Sequence, residues 1–441
     1  MKFPSNPRYE RWRWQIFGIT WLIYASLYLT RQSFGVAKVA LDSDARIALH
    51  REQYGLVDSA FLTTYMLGQF LFGPLGDRFG PRLILLGGLA LSVLAAVAWG
   101  YATMLWAFLA FAVLQGVAQS TGWSNTTKTM SSWFSVAERG RVIGWWCTHY
   151  TVGAAIALPF GGWMMDHFGY YPSAGRIGAA IVPFWPAAFW GPAAVLAVVF
   201  VLAWLLLRNR PEDVGLPPIE QYHSEPQLPV GEEHVQVAPE HSWKLIGEVL
   251  ASPSIWMLAT SYFSIKLARY AFYFWGPKYV SESLGSNAYE SALTTAALPI
   301  GGLLGVIGIG YVSDKLFQAR RAPATILSLL LTAAVMLIGL NDIGNIWAMR
   351  GFLFLVGFFL FGPDSMISAT AAMDFGTKRG AGTTTGVVNG VGSLGGILGG
   401  YLPGVLTTDT NWAPLFYVFL VGLLISAIAL VPLWRNKPPT D

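Results

Sequence analysis

The sequence predicts an all-α membrane protein of twelve transmembrane helices, in two six-helix halves related by pseudo-twofold symmetry. Three observations predict this fold: an apolar composition, long stretches without charge, and motifs that recur at a fixed offset. Hydrophobic residues make up 54% of the 441-residue chain and charged residues only 12%, whereas a soluble domain has about 25% charged residues. The chain therefore has too little polar surface for a soluble protein of this size.

Stretches without charged residues predict where the transmembrane helices lie in the sequence. Residues 83–127 contain no charged side chain, which is long enough for two spans of about 20 residues each. Because backbone polar groups cannot remain unpaired in lipid, we expect these stretches to be helical. The predicted spans are 12–34, 53–75, 83–102, 105–132, 141–166, 180–207, 254–280, 288–313, 322–341, 346–372, 380–406 and 412–434.

A polar segment at 208–243, with six prolines and a cluster of acids, divides the chain. Its composition predicts a cytoplasmic linker between an N-terminal bundle at 1–207 and a C-terminal bundle at 244–441. Twelve spans place both termini on one side of the membrane, and that side receives 18 of the 28 lysines and arginines. This bias predicts cytoplasmic termini. The far side receives six cations, namely Lys38, Arg46, Arg51, Arg176, Lys278 and Arg350.

Both halves carry a similar loop after their second span. The first loop reads Gly73-Pro-Leu-Gly-Asp77-Arg78-Phe-Gly80-Pro-Arg82, and the second reads Gly310-Tyr-Val-Ser-Asp314-Lys315. A short acidic and basic turn can pair with the neighbouring helix in one conformation only, so Asp77, Arg78 and Asp314 are candidate gating residues. A purely structural role in a tight helix–helix turn is equally compatible with this pattern.

Charges inside the predicted spans need a functional explanation, since each costs about 2.5–3.5 kcal/mol to insert. The spans contain four cations and two acids, a net charge of +2, which suits a phosphate monoester of about −1.5 to −2. The acids are possible charge partners of the cations. These residues are Arg31, Lys128, Lys266, Arg269, Asp58 and Asp364.

A repeated helix face is more informative than the charge count. Tyr24, Tyr28 and Arg31 stand at i, i+4 and i+7 in the first span, and three residues of the seventh span repeat this spacing 238 positions later: Tyr262, Lys266 and Arg269. Parallel repeats place a substrate site between the halves at mid-membrane. Two arginines facing one another there would suit a phosphate that accepts bidentate bonds from each. The alternative is that each arginine pairs with an acid or a backbone carbonyl.

The remaining candidates have two interpretations each. Lys266 could reach the same cavity or pair with Asp364, and Lys128 could reach it or extend to the cytoplasmic face. His149 could be a neutral buried side chain bonded to a hydroxyl, or a partner for phosphate or a proton. Several aromatic residues could line the cavity or only pack: Tyr65, Tyr150, Tyr270, Tyr273 and Trp123. No nucleophile–base or metal-ligand cluster is evident, so we expect no enzyme, cofactor or metal site, and no basic segment is long enough for nucleic acid.

Ordered motifs along nearly the whole chain resemble a known family. The two loops resemble the signature of the major facilitator superfamily. Further motifs resemble its organophosphate:phosphate antiporter family, which includes bacterial glycerol-3-phosphate and hexose-phosphate transporters and animal sugar-phosphate exchangers. They are Tyr9-Glu-Arg-Trp-Arg13, Tyr24-Ala-Ser-Leu-Tyr28-Leu-Thr-Arg31, Gly122-Trp123 before Lys128, Glu138-Arg-Gly140-Arg before Trp146-Cys-Thr-His149, Leu267-Ala-Arg269-Tyr270, Trp275-Gly-Pro277 and Phe361-Gly-Pro363.

The resemblance implies a major facilitator fold that exchanges an organic phosphate for inorganic phosphate by alternating access. It implies that Arg31 and Arg269 bind the phosphate, surrounded by Tyr28, Tyr65, Trp123 and His149. We expect a bacterial inner-membrane protein that works as a monomer. Departures from the glycerol-3-phosphate type at Asp58, Gln69 and Asp364 leave the organic substrate open. Two other functions remain open: a proton-coupled carrier using Asp58, Asp364 or His149, and a non-transporting sugar-phosphate receptor.

Overall fold

The computed structural model describes residues 6–44, 46–168, 170–171, 182–222, 247–318, 320–341, 343–371 and 381–435. Within these ranges twelve long helices, α1–α12, succeed one another, and the fold class is as predicted. The first half comprises α1 Pro7–Leu41, α2 Arg51–Phe79, α3 Pro81–Trp99, α4 Leu105–Ser120 with Gly122–Trp133, α5 Val136–Trp146 with Thr148–His167, and α6 Ala187–Leu206. The second comprises α7 Pro253–Leu284, α8 Ala288–Thr295 with Ala297–Lys315, α9 Arg321–Ile338, α10 Ile346–Ser365, α11 Ala381–Leu406, and α12 Ala413–Leu430.

Helix composition separates the interior of the bundle from its lipid-facing parts. Seven of the described helices are long and apolar enough to cross a membrane on composition alone: α3, α4, α6, α8, α9, α10 and α12. The other five are α1, α2, α5, α7 and α11, and the two halves touch through these helices together with α8. Some of their charged side chains are paired inside the protein, such as Lys38 with Asp58, as expected for residues that cannot face lipid.

The halves touch on the membrane face where α1 and α7 end and α2 begins, which we call the distal face. Glycines bring the backbones together there. A Cβ atom on Gly55 of α2 would lie 2.7 Å from the carbonyl oxygen of Tyr401 on α11, and one on Gly404 would lie 2.6 Å from that of Arg51. Because glycine has no side chain, α2 and α11 can make backbone contact across the boundary between the halves.

A network of ion pairs, which we call the distal gate, lies around this contact. Lys278 of α7 pairs with Asp42 at the end of α1. Arg51 of α2 makes a bidentate pair with Glu282 of α7, at 2.6 and 2.9 Å, and a 3.0 Å bond to Asp409. These pairs join the first half to the second and hold the distal face closed.

A second, fully buried pair completes the distal gate within the first half. Lys38 of α1 pairs with Asp58 of α2, and its ammonium group also donates to the backbone carbonyl of Phe274 at 3.1 Å. Lys38 and Lys278 are two of the six cations predicted for the far side of the membrane, and both lie at the distal face. They belong to α1 and α7 and not to loops, and the two residues are only 0% and 3% exposed.

Part of the predicted linker is folded against the first half. The Tyr222 ring stacks on Tyr9 of α1 with centroids 4.0 Å apart, and the Tyr9 hydroxyl donates to the carbonyl of Pro217 at 3.0 Å. Residues 223–246 lie outside the described ranges. This docking fixes the start of the linker beside α1, at the membrane face opposite the distal gate.

The two signature loops make different contacts. Asp77 pairs with Lys128 of α4, so it ties α2 to a neighbouring helix. Asp314 instead bonds Arg321 at 2.9 Å, across the turn between α8 and α9. Arg78 lies over the ring of its neighbour Phe79, 5.2 Å from the centroid. A gating role for Asp77, Arg78 and Asp314 stays a prediction.

Candidate functional site

A cavity of about 580 Å³ lies between the halves, on the side of the distal gate that faces the linker. Residues from both halves form its walls. The first half contributes Tyr24, Tyr28, Arg31, Leu62, Tyr65, Met66, Gln69, Trp123, Gly144, Cys147 and Tyr150. The second half contributes Tyr262, Lys266, Arg269, Tyr270, Val306, Phe361, Asp364, Ser365, Ser368, Ser393 and Gly396.

The two predicted helix faces meet at this cavity. Tyr24, Tyr28 and Arg31 line it from α1, and the equivalent residues of α7, Tyr262, Lys266 and Arg269, line it from the other half. On each helix, the spacing of i, i+4 and i+7 places the three residues on one face. The structure therefore brings the two faces together, while their role in binding stays a prediction.

Arg31 is held by neutral groups. Its Nε donates to the side-chain oxygen of Gln119 on α4 at 2.8 Å, and its guanidinium lies over the rings of Tyr28 and Tyr65, at 4.6 and 4.8 Å. One terminal nitrogen is buried without a hydrogen-bond partner, and no described carboxylate lies within ion-pair distance. The positive charge of Arg31 is thus uncompensated.

Arg269 has a counter-charge. It bonds Asp364 of α10 at 2.5 Å, and its guanidinium lies over Phe361 at 4.3 Å and Tyr273 at 5.4 Å. The alternative of direct arginine–acid pairing therefore holds for Arg269 and not for Arg31. The other candidate acid, Asp58, pairs with Lys38 at the distal gate instead.

The cavity lining carries a net charge of +2, from Arg31, Lys266 and Arg269 against Asp364. The predicted value was the same, but it came from a different set of residues. Lys128 lies away from the cavity, paired with Asp77, and Asp58 is neutralised at the distal gate. An excess of two positive charges in a confined site favours a doubly charged anion.

Three predicted binding residues do not line the cavity. Lys128 is the first of them. His149 is buried behind Tyr24, with ring centroids 4.3 Å apart, and neither of its ring nitrogens has a hydrogen-bond partner. Tyr273 stacks on Phe361 at 5.9 Å and supports Arg269 from behind. The remaining nine line it: Tyr24, Tyr28, Arg31, Tyr65, Trp123, Tyr262, Lys266, Arg269 and Tyr270.

Sequence reasoning missed the residue that orients Arg31. The side-chain nitrogen of Gln119 donates to Thr30 at 3.0 Å, and Thr30 in turn bonds Ser92 of α3 at 3.3 Å. Gln115, one turn before Gln119, donates to Ser92 at 2.7 Å. Two glutamines at i and i+4 in an otherwise apolar helix were an available signal, since buried amides need partners.

Breaks in the helices adjoin the cavity. The two segments of α4 meet at Thr121, next to Trp123, and those of α5 meet at Cys147. In α10, Pro363 precedes a π-helical turn at Met366–Ala371. Wide turns and interrupted helices are frequent at functional sites, because they free side chains and backbone groups to contact a ligand.

Two bundles of six helices around a charged cavity, closed at one face by ion pairs, define a multi-pass membrane protein of the secondary-transporter class. The family model described as "Major Facilitator Superfamily" matches residues 20–400, and the chain belongs to this superfamily.

Similar proteins fit the resemblance to the organophosphate:phosphate antiporters. The "Membrane sensor protein UhpC" of Salmonella typhimurium is 30% identical, over 100% of this chain and 96% of the relative. The "Probable hexose phosphate transport protein" of Chlamydia muridarum is 28% identical over 97% and 92%, and the "Glycerol-3-phosphate transporter" of Bacillus subtilis is 28% identical over 97% and 94%.

A solved structure has the same fold. It is a bacterial homologue of the human lysosomal transporter Spinster, in an inward-facing and unoccupied conformation, with a TM-score of 0.74. Its sequence identity is 18%, and the match covers 98% of this chain and 97% of that one.

Proposed function

We propose that this protein exchanges an organic phosphate, a sugar phosphate or glycerol 3-phosphate, for inorganic phosphate at the central cavity. The observation that carries the proposal is that Arg31 and Arg269 line the same cavity from equivalent faces of the two halves, and that the charge of Arg31 has no counter-ion among the described residues. A guanidinium binds phosphate oxygens in bidentate fashion. Relatives named as hexose-phosphate and glycerol-3-phosphate transporters support the same chemistry.

The geometry suggests why transport would be an exchange. Closing the cavity brings Arg31 toward Arg269 and Lys266, and these cations repel each other in a site with little water. A bound phosphate removes the repulsion, so the loaded protein closes and reorients more readily than the empty one. The pair formed by Arg269 and Asp364 would loosen as phosphate competes for the guanidinium.

Proteoliposomes test this exchange. Vesicles that contain inorganic phosphate should take up labelled phosphate much faster than vesicles without it, because the protein does not reorient across the membrane while its site is empty. Equal uptake with and without internal phosphate contradicts the proposal. Arg31→Lys should lower phosphate exchange by roughly tenfold or more, because an ammonium lacks the bidentate fork. Arg8→Lys is the control, because Arg8 is exposed and donates to the carbonyl of Val214 in the linker at 3.0 Å, away from the cavity.

We further propose that the termini are cytoplasmic, that the membrane is a bacterial inner membrane, and that each chain works as a monomer. Three of the six far-side cations, Lys38, Arg51 and Lys278, are paired with carboxylates in the distal gate, whereas 18 lysines and arginines belong to the terminal side. This bias toward the terminal side supports cytoplasmic termini. The structure then corresponds to an inward-facing state, with its distal gate closed toward the outside. One chain supplies both walls of the cavity, which supports a monomer.

A receptor is the second candidate, favoured by the 30% identity to a protein named as a membrane sensor. The same cavity would then bind sugar phosphate without moving it across the membrane. Saturable ligand binding by purified protein, together with no phosphate exchange in vesicles, would establish this alternative. A proton-coupled carrier has less support, because the candidate acids Asp58 and Asp364 are engaged with cations and the third candidate, His149, does not line the cavity.

A further inference from the structure

The two walls of the cavity differ in chemistry. The first-half wall has one charged residue, Arg31, together with the amide of Gln69 and four tyrosines, Tyr24, Tyr28, Tyr65 and Tyr150. The second-half wall has Lys266, Arg269 and Asp364 and three serines, Ser365, Ser368 and Ser393. The carboxylate and the serine hydroxyls of the cavity lining therefore all lie on the second-half wall.

Asp364 is the single carboxylate among the residues that line the cavity. The residue is 7% exposed, and its Oδ2 bonds Arg269 while its Oδ1 is buried without a hydrogen-bond partner. A buried carboxylate oxygen without a donor is costly, at about 1–3 kcal/mol or more. A hydroxyl donor on a ligand in the cavity would remove this cost.

The surroundings of Asp364 suit hydroxyl groups. Ser365 follows it directly, and Ser368 lies one turn further along, in the π-helical segment that succeeds Pro363. Ser393 on α11 lies 3.5 Å from the ammonium of Lys266 and presents a hydroxyl to the same wall. Serine hydroxyls both donate and accept, whereas the carboxylate only accepts.

We propose that Asp364 is a specificity residue that selects phosphate esters with an uncharged, hydroxyl-rich organic group and rejects esters that carry a carboxylate. The inference rests on the proposed function and names the substrate class for the same site. A sugar hydroxyl would donate to the free Oδ1 and satisfy it. A substrate carboxylate at that point would face a like charge and could not donate a hydrogen bond to Oδ1. Asp364 would therefore discriminate between the two kinds of ester by repelling one as well as by attracting the other.

Competition in phosphate-loaded proteoliposomes tests this inference. Glucose 6-phosphate and 3-phosphoglycerate are titrated against labelled phosphate uptake, and the ratio of their inhibition constants is the readout. The wild type should prefer glucose 6-phosphate by roughly tenfold or more. In Asp364→Asn this preference should shrink about tenfold, the equivalent of about 1.4 kcal/mol. The released Arg269 would raise the affinity for every anion, so only the ratio is diagnostic.

Two further variants make the outcome decisive. Ser365→Ala should lower the affinity for glucose 6-phosphate more than the affinity for 3-phosphoglycerate, since it removes a hydroxyl partner and no charge, and 3-phosphoglycerate carries a single hydroxyl. Glu290→Gln, which neutralises an exposed acid at the start of α8, is the matched control and should keep the wild-type ratio. A wild type that prefers 3-phosphoglycerate, or an unchanged ratio in Asp364→Asn, overturns the inference even though phosphate exchange continues. Loss of phosphate exchange in the wild type instead overturns the proposed function, and the ratio can then be read from ligand-induced shifts in thermal stability.

Discussion

At the scale of single residues, the identity of the partner of Arg31 decides what the cavity can bind. Gln119 holds the guanidinium by a 2.8 Å bond without neutralising it. We predict that Gln119→Glu lowers phosphate affinity by at least about tenfold, because the new carboxylate would pair with Arg31 and repel the ligand. Equilibrium binding of labelled phosphate to purified protein measures this effect.

The control for this prediction is Gln119→Leu, which also removes the hydrogen bond but adds no charge. It should weaken binding less than the glutamate variant, since Arg31 would lose its orientation and keep its charge. Equal losses in the two variants would show that orientation matters and charge does not.

The buried pair of Lys38 and Asp58 gives a second prediction at this scale. Asp58→Asn leaves the Lys38 ammonium buried without a counter-charge, so we expect a loss of about 3–5 kcal/mol in stability. The double variant Lys38→Met with Asp58→Leu leaves no charge behind and should regain most of that stability. The midpoint of thermal unfolding in detergent measures both. A double variant as unstable as the single one would contradict this interpretation.

At the scale of helices, residue spacing predicted the cavity-lining faces, whereas hydropathy did not predict where the long helices end. The matching spacing of Tyr24, Tyr28 and Arg31 with their α7 counterparts places all six at the cavity. The predicted first span ends at residue 34, whereas α1 continues to Leu41 through a segment that is buried by α7 and not by lipid, so Lys38 belongs to a helix and not to a loop. Hydropathy reports contact with lipid, and cannot distinguish a buried ion pair from a loop.

The contact between α2 and α11 gives a prediction for these elements. Gly55→Ala and Gly404→Ala place a Cβ 2.7 and 2.6 Å from carbonyl oxygens of the opposite half. The distal face should then fail to close, and the cavity should open toward that face. Gly18→Ala on α1 is the matched control, since nothing lies within 4 Å of its Cβ position.

Cys147 reports this opening, because it lines the cavity and is the single cysteine of the chain. A membrane-impermeant thiol reagent applied to the distal face should label Cys147 faster in Gly55→Ala and Gly404→Ala than in the wild type. Unchanged labelling in both variants would show that the distal face closes without this backbone contact.

At the scale of the whole molecule, the distal gate and the cavity together make access one-sided. The ion pairs of Arg51 and Lys278 join the halves on the distal face, and the cavity lies on the other side of them. In phosphate-free vesicles the reagent should therefore reach Cys147 from the side of the termini and much more slowly from the distal face. Inside-out and right-side-out vesicles separate the two directions, and Cys147→Ala gives the background.

Adding a ligand extends the same measurement to the transport cycle. Phosphate between Arg31 and Arg269 would cover the wall that Cys147 shares with Trp123, so labelling from the terminal side should fall as phosphate rises. If phosphate also lets the halves reorient, labelling from the distal face should rise over the same concentration range, because a ligand shifts the population toward the states that bind it more tightly. A fall on one side without a rise on the other would indicate binding without reorientation, which is the behaviour of a receptor and not of an exchanger.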